Sequence, residues 1–206
     1  MEAHYSTGVI RPDPDPHDVM TKTNRIRGNV PPSLLDYGDL KGGLARMMDR
    51  FREEGTMTGD PDADEFIRRN PNAALLGMLY DQRVRAEYAF TGPIRLHERL
   101  GHLDMKRIAR MRPEELRACF AEKPAVHRFT NKMADQTHGV ATVIADEYDG
   151  DAANLWMGRS PFPEIEKRLL QLPGFGPQKA YKMKFVLHYF GYRDFSDEAP
   201  SGRRSA

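Results

Sequence analysis

The chain has 206 residues, of which 39% are hydrophobic and 30% charged, which is typical of one globular domain with terminal extensions. No apolar run approaches the roughly 20 residues that span a bilayer, and the first residues lack the basic-then-apolar order of a secretory signal. A single cysteine, Cys119, excludes an internal disulfide framework and an iron–sulfur cluster held by four thiolates. We therefore expect a reduced cytoplasmic protein.

The net charge is only +1, but its distribution along the chain is uneven. Residues 1–63 carry 8 basic and 11 acidic side chains, whereas residues 64–206 carry 23 basic and 19 acidic ones. Five basic residues and one acidic residue lie between Glu166 and Lys184. A solvated helix face and a nucleic-acid contact explain such a cluster equally well, so charge alone leaves both open.

The chain divides into four predicted parts. Residues 1–33 contain RPDPDP and NVPPS and few large apolar side chains, which predicts a disordered or extended segment. Residues 34–63 predict a helix followed by a linker, with GTMTGDPDAD as loop. Residues 64–192 predict a helical domain, and residues 193–206 a flexible tail.

The predicted helical domain consists of one short helix after another. Asn70 and Pro71 suit the N-cap and first turn of a helix whose apolar residues run to Gln82. Similar patterns predict helices over 84–90 and 94–100, from Asp104, from Pro113, and over 130–148, 163–171 and 177–191. No stretch shows sustained alternation of β-branched residues. The predicted fold class is all-α, with consecutive helices side by side.

The stretch LPGFGPQKA separates the last two predicted helices. Pro173 cannot continue a helix, and Gly174 and Gly176 can adopt positive φ, so we predict a tight turn. Such a turn exposes backbone N–H groups at the start of the second helix, where they bind anions such as phosphate. Lys179, Lys182 and Lys184 follow on the second helix and would add positive charge. The alternative is a Pro-Gly helix terminator that binds nothing.

This stretch resembles the helix-hairpin-helix motif, and residues 64–192 resemble the helix-hairpin-helix (HhH-GPD) base-excision DNA glycosylases. That family includes endonuclease III and the adenine, 8-oxoguanine and alkyl-adenine glycosylases. LLGMLYDQRVRAEYAF resembles the family's leucine-rich helix, which ends in a glutamine facing DNA. HRFTNKMADQ resembles the opening of its long middle helix, and YDGD the acidic-glycine turn before the hairpin. Their order and spacing are most similar to those of small bacterial members.

The resemblance implies an enzyme that binds double-stranded DNA, flips a damaged or mismatched base out of the stack and hydrolyses its glycosidic bond. Gln82 would enter the gap left by the flipped nucleotide; the alternative is a solvated glutamine at a helix end. The residues assigned to DNA binding are Gln82, Leu172, Pro173, Gly174, Phe175, Gly176, Gln178, Lys179 and Lys182. The carbonyl groups of Leu170, Leu172 and Phe175 would hold a monovalent cation, K⁺ or Na⁺, that also touches a DNA phosphate. A monomer associated with the nucleoid is expected.

The family's chemistry uses a carboxylate soon after the hairpin, which stabilises positive charge on the sugar or activates water. YRDFSDEAP offers Asp197, the nearest in spacing, and Asp194. The chain departs from the family here, because EAPSGRRSA replaces the threonine or valine and the histidine that open a further helix. An acidic residue in a flexible tail is an equally good interpretation of Asp197.

A second departure concerns lyase chemistry. Gln178 stands where the family's lyase members carry a nucleophilic lysine. Lys179 is one residue further on, a rotation of about 100° around a helix. We therefore expect either a monofunctional enzyme or a protein without enzymatic activity, with Lys179 as a phosphate contact.

Two other functions remain open: a non-catalytic relative that recognises distorted DNA, and a helical protein-interaction module that keeps the hairpin only for packing. Asp81 and Glu87 flank the glutamine at the helix end and are further candidates for the cleft, although a helix cap and a solvated face explain them more simply. His127, at the start of the long helix, is expected near DNA. Trp156 and Phe162 are expected in the core, with stacking on a flipped base as the alternative.

Overall fold

The computed structural model describes residues 32–38, 40–158 and 160–198. Nearly all of the segment 1–33, predicted to be disordered or extended, lies outside the described residues, as does the tail from residue 199.

The described residues form ten α-helices, one 3₁₀ helix and no β-strand, which confirms the all-α prediction. The α-helices are α1 (Gly43–Glu54), α2 (Pro61–Arg69), α3 (Pro71–Tyr80), α4 (Ala86–Phe90), α5 (Gly92–Leu100), α6 (Met105–Ala109), α7 (Pro113–Ala121), α8 (Thr130–Glu147), α9 (Phe162–Leu169) and α10 (Pro177–Tyr189). The 3₁₀ helix is Ala152–Leu155. None of the helices in these ranges combines the length and the apolar character needed to cross a membrane.

Side-chain caps start several of these helices where the sequence predicts them. The Asn70 side chain accepts a hydrogen bond from the Ala73 N–H at the start of α3, and Asp104 accepts one from the Arg107 N–H at the start of α6. Helix α2 is a correction, because it begins inside the segment predicted as a loop. Asp60 caps it and Pro61 fills its first position, so residues interpreted as turn formers are a helix start.

Helix α3 lies at the centre of the domain. Every residue of α3 from Ala73 to Tyr80 is buried, and the helix packs against α2, α4, α5, α8 and α10. The approach of α4 depends on Gly77, because a Cβ there would lie 2.6 Å from Cδ1 of Phe90. The C-terminal end of α3 therefore has a position fixed from several sides.

The segments on either side of residues 64–192 contribute to the same core. Helix α1 buries Leu44, Met47 and Met48, and the Phe51 ring packs edge-on against Tyr189 of α10, with centroids 5.3 Å apart. Phe195 is also buried, although it lies in the segment predicted as a tail.

The aromatic residues expected in the core are found there. Trp156 and Phe162 are 2% and 4% exposed, which confirms their predicted burial and leaves neither ring free to stack on a base. The Phe162 ring packs edge-on against Phe195.

Candidate nucleic-acid interface

The stretch LPGFG forms a type II β-turn between α9 and α10. The Leu172 carbonyl accepts a hydrogen bond from the Phe175 N–H at 3.1 Å, which closes the turn around Pro173 and Gly174. Gly174 has φ 80°, the conformation that the third residue of this turn requires, and proline is favoured at the second. The prediction of positive φ is confirmed for Gly174.

Gly176 differs from the prediction because it does not have a positive φ. It is the N-cap of α10, with φ −109° and ψ 179°, an extended conformation that any residue adopts. A Cβ added at Gly176 would meet no heavy atom within 4 Å. The missing side chain therefore leaves open space in front of the N-terminus of α10 and has no role in the turn itself.

The hairpin turn packs closely on two other helices. A Cβ at Gly174 would lie 2.8 Å from both Cδ of Gln136 in α8 and Cδ1 of Leu79 in α3. Gly139 of α8 faces Pro173 at a similarly short distance, since a Cβ there would lie 3.1 Å from the proline Cγ. The turn is thus fixed against α8 and the C-terminal end of α3.

Two lysines of α10 hold the end of α3. Lys179 donates a hydrogen bond from Nζ to the Leu79 carbonyl at 2.5 Å, and Nζ of Lys182 lies 3.2 Å from Oδ2 of Asp81. The last carbonyl groups of a helix lack partners within it, so a lysine ammonium is a suitable cap for them. In the structure Lys179 thus contacts the last turn of α3 and Lys182 contacts Asp81, just beyond that helix; their predicted role in DNA binding stays a prediction.

The environment of Lys179 makes its ammonium unusually acidic. Burial lowers the pKa of Lys179 to about 8, and the nearby charges of Lys132 and Lys182 act in the same direction. The Asp81 carboxylate opposes this shift. Lys179 is therefore partly neutral near pH 8, whereas an exposed lysine stays charged there.

Residues Asp81–Arg83, which we call the α3 tip, form a compact turn beyond the end of the helix. Helix α3 ends at Tyr80, two residues earlier than predicted. The Gln82 N–H donates to the Tyr80 carbonyl at 2.7 Å, and Asp81 has φ −69° and ψ 71°, which is an inverse γ-turn. Arg83 follows with φ 53°, a left-handed conformation that is uncommon for residues other than glycine.

His127 supports the α3 tip from inside the protein. Its Nδ1 accepts a hydrogen bond from the Phe129 N–H at 3.0 Å, so its Nε2 carries the proton and donates to the Tyr80 carbonyl at 3.1 Å. Burial lowers the pKa of His127, although backbone groups of Tyr80 and Gln82 oppose the shift. Because its side chain is completely buried, His127 does not face DNA as expected.

Exposed cations border the α3 tip. Arg83 and Arg85 are exposed on the tip and just beyond it, and Arg128 and Lys132 are exposed at and after the loop that carries His127. The sequence did not indicate this group, because its members are spread over some fifty positions. The sequence shows only that each of these four residues is basic, and does not show that they lie together.

The two carboxylates predicted as catalytic, Asp194 and Asp197, lie in the segment that follows α10. Asp194 accepts a hydrogen bond from the Ser196 N–H, and its Oδ1 lies 3.7 Å from Nδ1 of the buried His188. His188 is eleven residues after Pro177, about 16 Å along the helix axis. The structure therefore does not bring Asp194 to the hairpin turn.

Asp197 is exposed and precedes Glu198, which pairs with Lys184 at 3.6 Å. Lys182 and Lys184 are two residues apart, so they project from α10 about 160° apart. Glu198, the neighbour of Asp197, thus contacts one face of α10, and the Asp81 carboxylate contacts the nearly opposite face. Of the acidic candidates, Asp81 is the one that contacts the hairpin helix beside Gln82.

The predicted cation site uses backbone oxygens. The Leu172 carbonyl accepts the Phe175 N–H and retains its second lone pair, so the turn is compatible with a bound K⁺ or Na⁺. Across the residues described, no group of three or more His, Cys, Asp or Glu side chains could hold a metal ion. The carbonyl site at Leu170, Leu172 and Phe175 stays a prediction.

Neither a scan against protein-family models nor a search of the curated proteins found a match to the chain. The likeness to the helix-hairpin-helix glycosylases consequently stays a prediction from the quoted motifs.

Proposed function

We propose that the protein is a monofunctional DNA N-glycosylase that binds double-stranded DNA through the hairpin and excises a flipped, damaged or mismatched base. The observation that carries the proposal is the direct attachment of the α3 tip to α10. Lys179 and Lys182 extend from the first turns of α10 to the end of α3 and to Asp81. The α3 tip therefore lies about one lysine side chain away from α10. A site for a phosphate and a residue for the base stack thus belong to one rigid unit.

The N-terminal end of α10 has the features of a phosphate site. Its N–H groups lack partners within the helix, and the helix dipole favours an anion there. Gly176 leaves room for a DNA backbone to approach, since its α-carbon bears no side chain and faces open space. A monovalent cation on the turn carbonyls would add positive charge next to the same phosphate.

The α3 tip has the features of a wedge for the base stack. Gln82 is half-buried and Arg83 is exposed, and the backbone beneath them is fixed by Lys179 and His127. A side chain that fills the gap left by an extruded nucleotide compensates part of the lost stacking. Because the tip is already ordered, little conformational entropy is lost on binding.

A second candidate function is recognition of distorted DNA without catalysis. The position of Asp194 favours it, because this carboxylate contacts His188 far along α10 from the hairpin. The same duplex contacts would serve either function. They differ only in whether a carboxylate lies beside the sugar of the flipped nucleotide.

Gly176→Ala tests the DNA-binding part of the proposal. We expect at least a tenfold weaker affinity for a duplex with an abasic-site analogue, because the new methyl group occupies the space in front of the helix N-terminus. Affinity is measured by fluorescence anisotropy at several salt concentrations, since phosphate contacts make binding salt-dependent. Gln171→Ala, at an exposed and uncharged position on the other side of the turn, is the control and should bind like the wild type.

Excision separates the two candidate functions. The protein is incubated with duplexes that carry uracil, alkylated purines, oxidised bases or mismatches, and abasic sites are scored by alkaline cleavage. Product with any duplex supports the glycosylase. Salt-sensitive binding without product on the whole panel supports the non-catalytic function. Absence of salt-sensitive binding contradicts both and favours a protein-interaction module.

A further inference from the structure

Asp81 is a carboxylate in an unusual position. Only 11% of its side chain is exposed, and its Oδ2 lies 3.2 Å from Nζ of Lys182 on α10. It is the central residue of the inverse γ-turn that begins the α3 tip. An acidic side chain is unfavourable near the C-terminal end of a helix, because the helix dipole is negative there. Asp81 is therefore unfavourable for its own helix, and its ion pair is made with α10.

The other half-buried carboxylate near the tip provides a contrast. Glu87 is 14% exposed and forms an ion pair with Arg50 of α1, with Nη1 and Oε1 3.3 Å apart. Helix α1 contacts α4, on which Glu87 lies, so this ion pair joins two elements of the fold. The Asp81 ion pair joins the tip to the hairpin helix. Asp81 and Glu87 flank Gln82 in the sequence and are similarly buried, but their ion pairs are made with different helices, α10 and α1.

We propose that Asp81 is the catalytic carboxylate of the glycosylase, in the role that the sequence assigned to Asp197 or Asp194. The inference rests on the proposed function. When Gln82 fills the gap in the stack, the sugar of the extruded nucleotide stays on the strand beside that gap. Asp81 is the adjacent residue, about 3.8 Å away between α-carbons. No other acidic candidate from the sequence shares this position.

The reaction is a hydrolysis that balances with one water molecule. The water oxygen forms a bond to C1′ of the sugar while the bond from C1′ to the base nitrogen breaks and leaves its electron pair on the base. Asp81 accepts the proton that the water loses, and its negative charge stabilises the positive charge that develops on the sugar. The base takes up a proton from solvent, and Asp81 later returns its own to solvent.

Lys182 acts as a positioning residue for this carboxylate. Its ammonium fixes the Asp81 side chain on the hairpin side of the tip. Lys179 lies next to the same pair, since the Asp81 charge acts on it. The two lysines thus hold the Asp81 carboxylate and the end of α3 against the hairpin helix.

Asp81→Asn tests the inference against Glu87→Gln as a matched control. Rates are measured under single-turnover conditions on the best substrate of the duplex panel. Asp81→Asn should excise at least a hundredfold more slowly, which is the usual loss for a group that stabilises transition-state charge. Its affinity for the duplex with an abasic-site analogue should stay within threefold of the wild type or become tighter. Glu87→Gln should excise within threefold of the wild-type rate.

Lys182→Met distinguishes catalysis from a purely structural ion pair. It breaks the same pair but keeps the Asp81 carboxylate, so its excision rate at saturating protein should exceed that of Asp81→Asn by at least tenfold. Equal losses in the two variants would overturn the catalytic role, as would a rate for Asp81→Asn within threefold of the wild type. A wild-type protein that binds duplex but excises nothing would overturn the glycosylase together with Asp81, and would leave the DNA-binding function standing.

Discussion

The two ends of α10 are surrounded by different kinds of contact. At the C-terminal end, His188 is buried, and its ring joins the Ser33 carbonyl and the Phe195 N–H, at 2.6 Å and 3.2 Å. At the N-terminal end, Lys179 reaches the last turn of α3, Lys182 reaches Asp81 of the α3 tip, and Gly176 faces open space. The C-terminal end of α10 is thus held in the core, and its N-terminal end lies at the surface.

The largest effect should come from Gly174→Ala. The substitution forces an alanine to φ 80° and places its Cβ 2.8 Å from Gln136 and Leu79. Left-handed strain costs about 1–2 kcal/mol, and overpacking adds about 1–3 kcal/mol. Urea denaturation should therefore show a loss of about 2–5 kcal/mol in the free energy of unfolding.

Gly176→Ala is the matched variant on the other side of Phe175, and it should change the free energy of unfolding by less than about 1 kcal/mol. Its backbone conformation suits alanine, and its surroundings are empty. The pair of variants distinguishes Gly174, which the fold requires, from Gly176, which DNA binding requires under the proposed function. Equal losses of stability would contradict this distinction.

Substitution of the two buried histidines, one near each end of α10, should have different effects on DNA affinity. His127→Leu leaves the Phe129 N–H without its ring partner, while the Tyr80 carbonyl keeps its hydrogen bond from the Gln82 N–H. His188→Leu leaves the Ser33 carbonyl and the Phe195 N–H without their ring partner. Each group left buried and unsatisfied costs about 1–3 kcal/mol. His127→Leu should also weaken affinity for abasic duplex several-fold, because the α3 tip loses a support. His188→Leu should keep the wild-type affinity. Anisotropy titrations below the melting temperature of each variant test this, and similar affinities would contradict it.

Lys179 should make stability depend on pH in a recognisable window. Its pKa is about 8 in the folded protein, below the usual value of 10.5. Between these values the unfolded chain binds more protons, so the free energy of unfolding should rise from about pH 8 to 10.5. Below pH 8 the penalty for the buried charge is present in full and constant. Lys179→Met should show a smaller rise than the wild type in urea denaturation across this range.

Local chemistry explains what the sequence predicted well. Asn70 and Asp104 cap helices because their side chains accept from N–H groups two or three residues further on, an interaction within one turn. Pro173 and Gly174 specify a type II turn from their own backbone preferences. None of these features depends on a distant residue.

Contacts between distant segments explain what the sequence did not predict. The inverse γ-turn at Asp81 is fixed by Lys179, which lies a hundred positions from its partner Leu79. The burial of His127 depends on a carbonyl 47 positions away. Periodicity and capping rules do not contain such contacts, so the sequence predicts that α3 runs to Gln82 and that His127 lies near DNA. The position of Asp81 against α10 could not be predicted for the same reason.

The attachment of the α3 tip to α10 has a consequence for how a duplex is selected. Hydrogen bonds from Lys179 and His127 fix the interval between the N-terminus of α10 and Gln82 before any DNA arrives. To place a phosphate at the N-terminus of α10 and a gap in the base stack at Gln82, a regular duplex must kink and unstack. A duplex weakened by a lesion or mismatch deforms at a lower energy cost. Under the proposed function, the folded protein would therefore favour damaged DNA because a weakened double helix deforms more easily, before any pocket distinguishes the chemical identity of the base.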